Sequence, residues 1–162
     1  MNPTLYVFDL DGTLADCTHR LHYLQQTPPD WHAFFEACVN DPPIKWVLKL
    51  AKRMQNYGTL LILTGRTDKY RVQTEEWLRQ YLRFFELHMR AENDFRTDIV
   101  VKPELLKKVL DAHKYVSMEF IVEDKAEMAG AWRILGYNVL HVGNHEGASS
   151  VSKRMENGEH AP

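Results

Sequence analysis

Residues 5–15 have the sequence LYVFDLDGTLA, and this stretch decides the fold. Its apolar first half is typical of a buried strand. Asp9 and Asp11 follow at once, so two carboxylates stand at the carboxyl end of a strand, where open α/β sheets bind ligands. Gly12 allows the backbone to turn sharply behind them. Two carboxylates held this close repel each other, and a divalent cation relieves the repulsion. An ordinary strand end with an Asp-Gly turn gives the same pattern, so the rest of the chain has to decide.

The composition is that of one globular domain. The chain has 162 residues, of which 44% are hydrophobic and 26% charged. A formal net charge of −2 argues against a protein that coats long nucleic acid, but it allows binding of a nucleotide or a strand end. The two cysteines form no metal-ligand pattern, and neither a signal peptide nor a membrane-length apolar run is present. We expect a cytoplasmic protein with one domain over residues 1–143 and a flexible polar tail over residues 144–162.

Strands and helices alternate along the chain. The apolar runs predict strands over residues 5–10, 59–63, 85–89, 118–122 and 137–142. Between them, Gly58 is predicted to follow a helix end, Asp68 to cap a helix, and Pro103 to lie in the first turn of another. Repeated β-α units predict an α/β, Rossmann-like fold, with a mostly parallel sheet and helices on both faces. Residues 16–41 interrupt the pattern with two short helices, over 18–26 and over 31–39 after an Asp30 cap, and are predicted to form a small helical cap.

Polar side chains follow three of the predicted strands and should meet at one edge of the sheet. These residues are Asp9 and Asp11 after the first strand, Thr64, Gly65 and Arg66 after the second, and Glu123 and Asp124 after the fourth. Lys102 precedes a helix and can reach the same edge. The set suits phosphoryl transfer, because one carboxylate can attack phosphorus while a second delivers a proton to the leaving group. Mg²⁺, a hydroxyl and a lysine would then hold the phosphoryl oxygens.

The same residues resemble the four motifs of haloacid dehalogenase superfamily phosphatases. Residues 9–14 (DLDGTL) resemble the first motif and residues 61–66 (LILTGR) the second. Lys102 resembles the third, and residues 121–124 (IVED) the fourth. The motifs occur in the family's order, and the resemblance covers residues 4–143. It implies the Rossmann-like fold of that superfamily.

The resemblance also implies the role of each residue. Asp9 would be the nucleophile that becomes an aspartyl phosphate, and Asp11 the general acid and base. Thr64 would bind the phosphoryl group, and Lys102 would steady its charge. The implied ligands of Mg²⁺ are Asp9, Asp124, the backbone carbonyl of Asp11, and Glu123 in support. An acidic residue at position 11 favours phosphatase over dehalogenase chemistry, because a halide leaving group needs no proton.

A closer resemblance is to the 3′-phosphatase domain of phage polynucleotide kinase–phosphatases. It rests on two runs, residues 88–102 with Arg90, Asp94, Arg96 and Asp98, and residues 123–136. The chain contains no P-loop, so kinase activity is not expected and the sequence looks like the phosphatase part alone. The cap-like segment departs in detail from that domain. The predicted substrate is a 3′-phosphate on a nucleic-acid end or nucleotide, and a separate kinase or ligase is a possible partner. Residues predicted to contact substrate are Thr13, His19, Gly65, Arg66, Arg90 and Arg96.

Several alternatives stay open at this point. The same chemistry would serve a 5′-nucleotidase or another small-molecule phosphatase, and the fold would serve an inactive binding module. Arg90 and Arg96 lie close enough to acidic residues to form ordinary surface salt bridges. The aromatic residues of 31–35 fit a local core better than a base-stacking surface. Residues 66–108 hold ten Lys and Arg against eight Asp and Glu, which is too weak an excess to indicate a nucleic-acid groove.

Overall fold

Five parallel strands form the centre of the molecule. The structure is a computed structural model, and it describes residues 4–112 and 117–143. The strands are β1 (Thr4–Phe8), β2 (Gly58–Thr67), β3 (Glu86–Arg90), β4 (Ser117–Glu123) and β5 (Val139–His141). Their order across the sheet is β3-β2-β1-β4-β5, and every neighbouring pair is parallel. The carboxyl ends of all five strands therefore meet at one edge, and the predicted Rossmann-like sheet is confirmed.

Within the described residues, five α-helices connect the strands. They are α1 (Trp31–Glu36), α2 (Lys45–Met54), α3 (Arg71–Tyr81), α4 (Asp98–Ala112) and α5 (Ala126–Ile134). Short 3-10 segments cover Thr18–Gln25, Ala37–Asn40 and Asp68–Tyr70. None of the helices within residues 4–112 and 117–143 is long and apolar enough to cross a membrane. The predicted tail, residues 144–162, lies outside the described residues.

The sheet is covered on both faces, as the unbroken apolar runs predict. Successive residues of a strand point to opposite faces. Phe8 and Ile62 therefore pack with α2 and α3, whereas Val7 and Leu61 pack with α4 and α5. A tryptophan fills each layer, Trp77 from α3 and Trp132 from α5, and both are buried. These two layers hold the strand ends that carry the polar residues.

The cap segment, residues 16–41, leaves the sheet after β1 and returns beside its own starting point. The amide of Asp16 donates to Pro42 O at 2.8 Å, and the amide of Ile44 donates to Leu14 O at 2.8 Å. The segment has a small core of its own, formed by Leu24, Trp31, Phe34, Phe35 and Tyr70. As predicted, the carboxylate of Asp30 caps α1 by accepting from the amide of Ala33 at 2.9 Å. The first predicted helix of the segment is a 3-10 segment, and the second ends at Glu36 before a 3-10 turn.

Three local predictions were wrong. Gly58 begins β2 and does not close α2, which ends at Met54. Asp68 opens a 3-10 turn, and its side chain makes no capping bond to that turn or to α3. Helix α4 begins five residues before Pro103, which therefore lies inside it. The earlier start places Asp98 and Lys102 one helical turn apart on one face, where both reach the carboxyl edge of the sheet.

Gly58 is required by a close approach between strands, since it pairs with Thr4 in the parallel register of β1 and β2. A Cβ atom at position 58 would lie 2.1 Å from the carbonyl oxygen of Thr4. We expect Gly58→Ala to lower the free energy of unfolding by about 1–3 kcal/mol, because the strands must separate to admit it. Urea unfolding measures the change.

Gly130→Ala in α5 is the matched control, because a Cβ atom there meets nothing within 4 Å. This variant should raise the free energy of unfolding by about 0.5–1 kcal/mol through helix propensity. Equal effects of the two substitutions would contradict the steric argument.

Candidate active site

The first motif forms a tight turn at the carboxyl edge of the sheet. The amide of Asp9 donates to Val122 O at 2.9 Å, so pairing with β4 continues one residue beyond β1. Gly12 then adopts φ 84°, a left-handed conformation that side chains disfavour. The amides of Leu14 and Ala15 both donate to Leu10 O at 2.9 Å, which closes the turn. Asp9 and Asp11 are thereby fixed on backbone that the sheet itself holds.

An acidic cluster forms where β1 and β4 end. Asp9, Glu123 and Asp124 each place a carboxylate oxygen within 4.8 Å of the others, and all three are buried. The ammonium group of Lys102 donates to Asp9 at 2.7 Å and to Glu123 at 2.9 Å. The hydroxyl of Thr13 lies 3.0 Å from an oxygen of Asp9 and 3.3 Å from an oxygen of Asp124. The structure thus brings together four of the predicted catalytic and metal-binding residues.

The charges of this cluster are not balanced by protein groups alone. Burial, followed by repulsion from Glu123, raises the pKa of Asp9 to about 6, although Lys102 acts in the opposite direction. Burial, followed by repulsion from Asp9, raises the pKa of Asp124 to about 9. A divalent cation would remove this repulsion, and hard carboxylate oxygens are the ligands that Mg²⁺ prefers. The donor set therefore fits a divalent metal.

Asp11 belongs to a second cluster, which we call the arginine–aspartate cluster. Arg66 donates to the two oxygens of Asp11 at 2.8 Å and 2.6 Å. Arg20, from the cap segment, also donates to Asp11. Asp41, at the end of the cap segment, accepts from Arg20 at 2.7 Å and 2.8 Å and from Arg66 at 2.9 Å. The two arginines and Asp41 are buried, so both ends of the cap segment are tied to the carboxyl edge of the sheet.

The arginines set the protonation state of Asp11. Burial alone would raise the pKa of this carboxyl, but Arg66 and Arg20 outweigh it and hold the pKa well below its usual range. Asp11 is therefore ionised in this arrangement. Its side chain points to the arginines, whereas that of Asp9 points to Lys102 and Thr13. Asp11 thus adds no side-chain oxygen to the acidic cluster, and the predicted ligand role of its backbone carbonyl stays a prediction.

A third cluster, which we call the rim cluster, joins β3 to α4. The buried guanidinium of Arg90 donates to Gly65 O at 2.9 Å and to Asp98 at 2.5 Å, and also to two carbonyls of the intervening loop. Lys125 donates to the other oxygen of Asp98 at 2.7 Å. Gly65 is needed here, because a Cβ atom would lie 2.4 Å from Asp98. Arg90 thus holds the loop that follows β3 against the second motif.

The remaining predicted substrate contacts occupy different surroundings. Arg96 is half-exposed, and its guanidinium makes four hydrogen bonds of 2.7–2.9 Å to Asp94 and Glu104. His19 lies at the surface with its Nε2 atom 2.8 Å from Asp41. Thr13 is fully buried. Contact of these three residues with substrate stays a prediction.

A pocket opens between the cap segment and the sheet edge. Its polar lining comes from Asp9, Asp11, Thr64, Gly65, Arg66, Asp98 and Lys125, and its apolar wall from Cys17, Trp31, Phe34 and Phe35. The hydroxyl of Thr64 accepts from the amide of Arg66 at 3.1 Å. The aromatic residues form the core of the cap segment, as expected, and also line this pocket. An anion bound beside Asp9 would therefore have an aromatic surface next to it.

Sequence reasoning missed the residues that act through tertiary pairing. Neither Arg20 nor Asp41 was predicted to belong to the site. Asp98 and Lys125 were noted within the resemblance but were given no role. No spacing in the sequence links Arg20 to Arg66 or Lys125 to Asp98.

A protein family accounts for this arrangement. The profile of the family described as the polynucleotide kinase PNKP phosphatase domain matches residues 3–146. The chain belongs to this family. It is a phosphatase of the haloacid dehalogenase type, and its buried acidic cluster suits the divalent metal that such enzymes generally use. Membership in a phosphatase family argues against the alternative of an inactive binding module.

Solved structures agree with the family. A chain of the Pnkp1/Rnl/Hen1 RNA repair complex is 27% identical, with a TM-score of 0.74 over 88% of this chain and 44% of its own length. A second structure of the Pnkp1/Rnl/Hen1 complex gives 28% identity and a TM-score of 0.71 over 88% of this chain and 47% of that one. The present chain thus spans less than half of these relatives. A haloacid dehalogenase-like hydrolase from Streptococcus pneumoniae shares the fold, with 16% identity and a TM-score of 0.62 over 93% of this chain and 90% of its own. No curated protein matches the sequence.

Added Mg²⁺ is expected to raise the Tm of the protein more at pH 9 than at pH 6. The raised pKa values of about 6 for Asp9 and about 9 for Asp124 mean that the metal-free fold loses stability as pH rises through them. A cation binds the ionised carboxylates and reverses this loss. Thermal unfolding with and without MgCl₂ across this pH range measures both effects.

The variant Asp124→Asn should be more stable than the wild type at pH 9 without metal, and should gain little from MgCl₂. Asp111→Asn removes an exposed carboxylate of α4 and should behave like the wild type. A Tm gain that is independent of pH, or one that survives in Asp124→Asn, would show that the acidic cluster does not bind the metal.

Asp41→Asn is expected to lower the free energy of unfolding by about 3 kcal/mol or more, because it leaves two buried arginines with one carboxylate between them. Chemical denaturation at neutral pH measures the loss. Asp111→Asn breaks only the exposed Lys107–Asp111 pair and should cost less than about 0.5 kcal/mol. Similar losses in the two variants would mean that the arginine–aspartate cluster contributes no more than a surface ion pair.

Proposed function

We propose that the chain removes the phosphate from the 3′ end of a polynucleotide or nucleotide through an aspartyl phosphate on Asp9. The observation that carries this proposal is the position of Asp9. Its carboxylate opens into the pocket, stands in the acidic cluster, and accepts from Lys102 at 2.7 Å. Family membership makes the reaction a phosphate-ester hydrolysis, and the side chains around Asp9 supply what that reaction needs.

In the first step, an oxygen of Asp9 attacks phosphorus and the bond from phosphorus to the sugar oxygen breaks. An acyl phosphate forms on Asp9, and the departing alkoxide takes a proton from Asp11. Lys102 keeps Asp9 ionised for the attack, and Thr64 lies in the pocket wall as a hydrogen-bond partner for phosphoryl oxygens. A bound Mg²⁺ would supply positive charge next to the phosphoryl oxygens. Asp9, Asp124 and Glu123 are the residues that would hold it.

In the second step, a water oxygen attacks the same phosphorus and the bond to Asp9 breaks. Inorganic phosphate leaves, Asp9 is regenerated, and Asp11 takes a proton from the attacking water. The ionised Asp11 seen here is the form that this step needs. A protonated Asp11, which the first step needs, requires a looser pairing with Arg66. The phosphate dianion in the pocket would provide this by competing for the same guanidinium.

The apolar wall of the pocket supports a nucleotide as the substrate. Trp31, Phe34 and Phe35 are buried beside the reacting phosphate, and a sugar or base can pack on them when the cap segment moves away from the sheet edge. This wall would also serve the alternative, a 5′-nucleotidase, and the test below separates the two.

A partner enzyme and a reducing compartment belong to the same proposal. The similar chains come from a complex named for RNA repair, which supports a kinase or ligase working with this phosphatase. Cys17 and Cys38 are buried free thiols, as is usual in the cytoplasm. We therefore place the enzyme in the cytoplasm, acting on ends that another activity prepares or joins.

The decisive measurement is Mg²⁺-dependent phosphate release from three substrates in parallel: a 3′-phosphorylated oligonucleotide, a nucleoside 3′-monophosphate and a nucleoside 5′-monophosphate. We expect the highest kcat/KM for the oligonucleotide. Asp9→Asn should lower turnover by on the order of 10³-fold or more, because an amide cannot form the acyl phosphate.

Asp111→Asn is the matched control and should leave turnover unchanged, since it lies nine residues along α4 from Lys102, or about 13 Å along the helix axis. Preference for the 5′-monophosphate would keep the chemistry and make the chain a nucleotidase. Turnover that survives in Asp9→Asn would overturn the proposed mechanism.

A further inference from the structure

A second pocket lies on the outer edge of the sheet, away from the catalytic residues. Its lining residues are Arg71, Glu75, Arg79, Arg83, Phe84, Phe85 and Leu87, from α3 and from the segment that leads into β3. We call it the edge pocket. It gathers three arginines and one glutamate. The four-residue spacing of Arg71, Glu75, Arg79 and Arg83 along α3 and the residues just after it brings them to one side.

The backbone of the edge pocket is held by a hydrogen bond at Phe84, whereas the ring of Phe84 and the guanidinium of Arg79 are exposed. Phe84 is 75% exposed, and its carbonyl accepts from the side chain of Gln55. The guanidinium of Arg79 lies 5.8 Å from the ring centre of Phe85. Arg83 forms no ion pair with any residue that the structure describes, and Glu75 is shared between Arg71 and Arg79 at 3.4 Å and 3.2 Å. Exposed ion pairs of this length are weak, so an anionic ligand can take over these arginines.

The edge pocket is connected to the active site through α3 and β3. Helix α3 begins at Arg71, directly after Tyr70, whose ring stacks 5.1 Å from that of Phe35 in the active-site wall. The guanidinium of Arg71 lies 3.4 Å from Leu87 O in β3. Phe84 precedes Arg90 of the rim cluster by six residues, so its exposed ring lies about 20 Å from that cluster, toward the amino end of β3. A polymer bound with its end at Asp9 must therefore extend several nucleotides beyond the reacting phosphate, along α3 and β3, to reach the edge pocket.

Cations beside an exposed aromatic ring match the chemistry of a single-stranded nucleic acid. Guanidinium groups pair with backbone phosphates, and a ring such as that of Phe84 stacks with a base of any sequence. A flexible acidic peptide would pair with the arginines but would leave an almost fully exposed phenylalanine without a stacking partner. Glu86, the neighbouring acidic residue of β3, alternates to the other face of the strand from Phe85 and Leu87.

We propose that the edge pocket binds the substrate strand on the 5′ side of the phosphorylated end, with phosphates on Arg79 and Arg83 and a base on Phe84. This inference rests on the proposed function, since it assumes that the substrate is a polynucleotide. It adds a binding surface outside the catalytic pocket that favours long substrates over mononucleotides.

The test compares the Arg79→Gln/Arg83→Gln double variant and Phe84→Ala with Arg133→Gln, which removes an exposed arginine from α5 on the opposite face of the sheet. The first readout is the affinity for a fluorescent single strand of about 16 nucleotides with a 3′-hydroxyl, which is bound without turnover. We expect affinity to fall about tenfold in the double variant and in Phe84→Ala, and to stay unchanged in Arg133→Gln. The salt dependence, the slope of log K against log salt, should become shallower by about 1.4 in the double variant, since two phosphate contacts are lost.

The second readout is hydrolysis of a 3′-phosphorylated dinucleotide, which is too short to reach the edge pocket. Its kcat and KM should be those of the wild type in every variant, whereas KM for the long substrate should rise. Unchanged affinity for the long strand in the double variant would overturn the inference. If the wild type binds the long strand through these residues but hydrolyses only 5′-monophosphates, the proposed function fails while the binding surface stands.

Discussion

The structure depends on the pairing of charges that the fold buries or half-buries at one edge of the sheet. Six carboxylates (Asp9, Asp11, Asp41, Asp98, Glu123 and Asp124) meet five cationic side chains there (Arg20, Arg66, Arg90, Lys102 and Lys125). A buried charge without a partner costs several kcal/mol, so each group must find a partner or a ligand. This requirement fixes the turn after β1, the start of α4 and both ends of the cap segment.

The three clusters differ in formal charge. The arginine–aspartate cluster is formally neutral, since two arginines face Asp11 and Asp41. The rim cluster has Arg90 and Lys125 around Asp98 and is positive. The acidic cluster has three carboxylates and one lysine, for a formal charge of −2, which is the deficit that a divalent cation fills. Positive charge is thus left for a phosphate on one side of the pocket, and a metal site on the other.

The cap segment links recognition to chemistry through the same pairing. Arg20 and Asp41 come from its two ends, and both belong to the cluster that keeps Asp11 ionised. Its aromatic core supplies one wall of the pocket and stacks on Tyr70, next to which α3 begins. A substrate that moves this segment would therefore also change the surroundings of Asp11. The cap segment, Asp11 and α3 are connected by contacts between neighbouring residues.

The sequence alone determined the sheet, its parallel topology and the residues of the acidic cluster. Short-range rules suffice for these, because apolar runs define strands, and parallel connections bring Asp9, Thr64 and Asp124 to one edge. Only the tertiary structure decided that Arg20, Arg66 and Asp41 surround Asp11. These groups are far apart along the chain, and no periodicity relates them. The start of α4 was predicted too late for the same reason. Pro103 alone favours a start close to itself, whereas the partners of Asp98 and Lys102 at the sheet edge stabilise an extra turn before it.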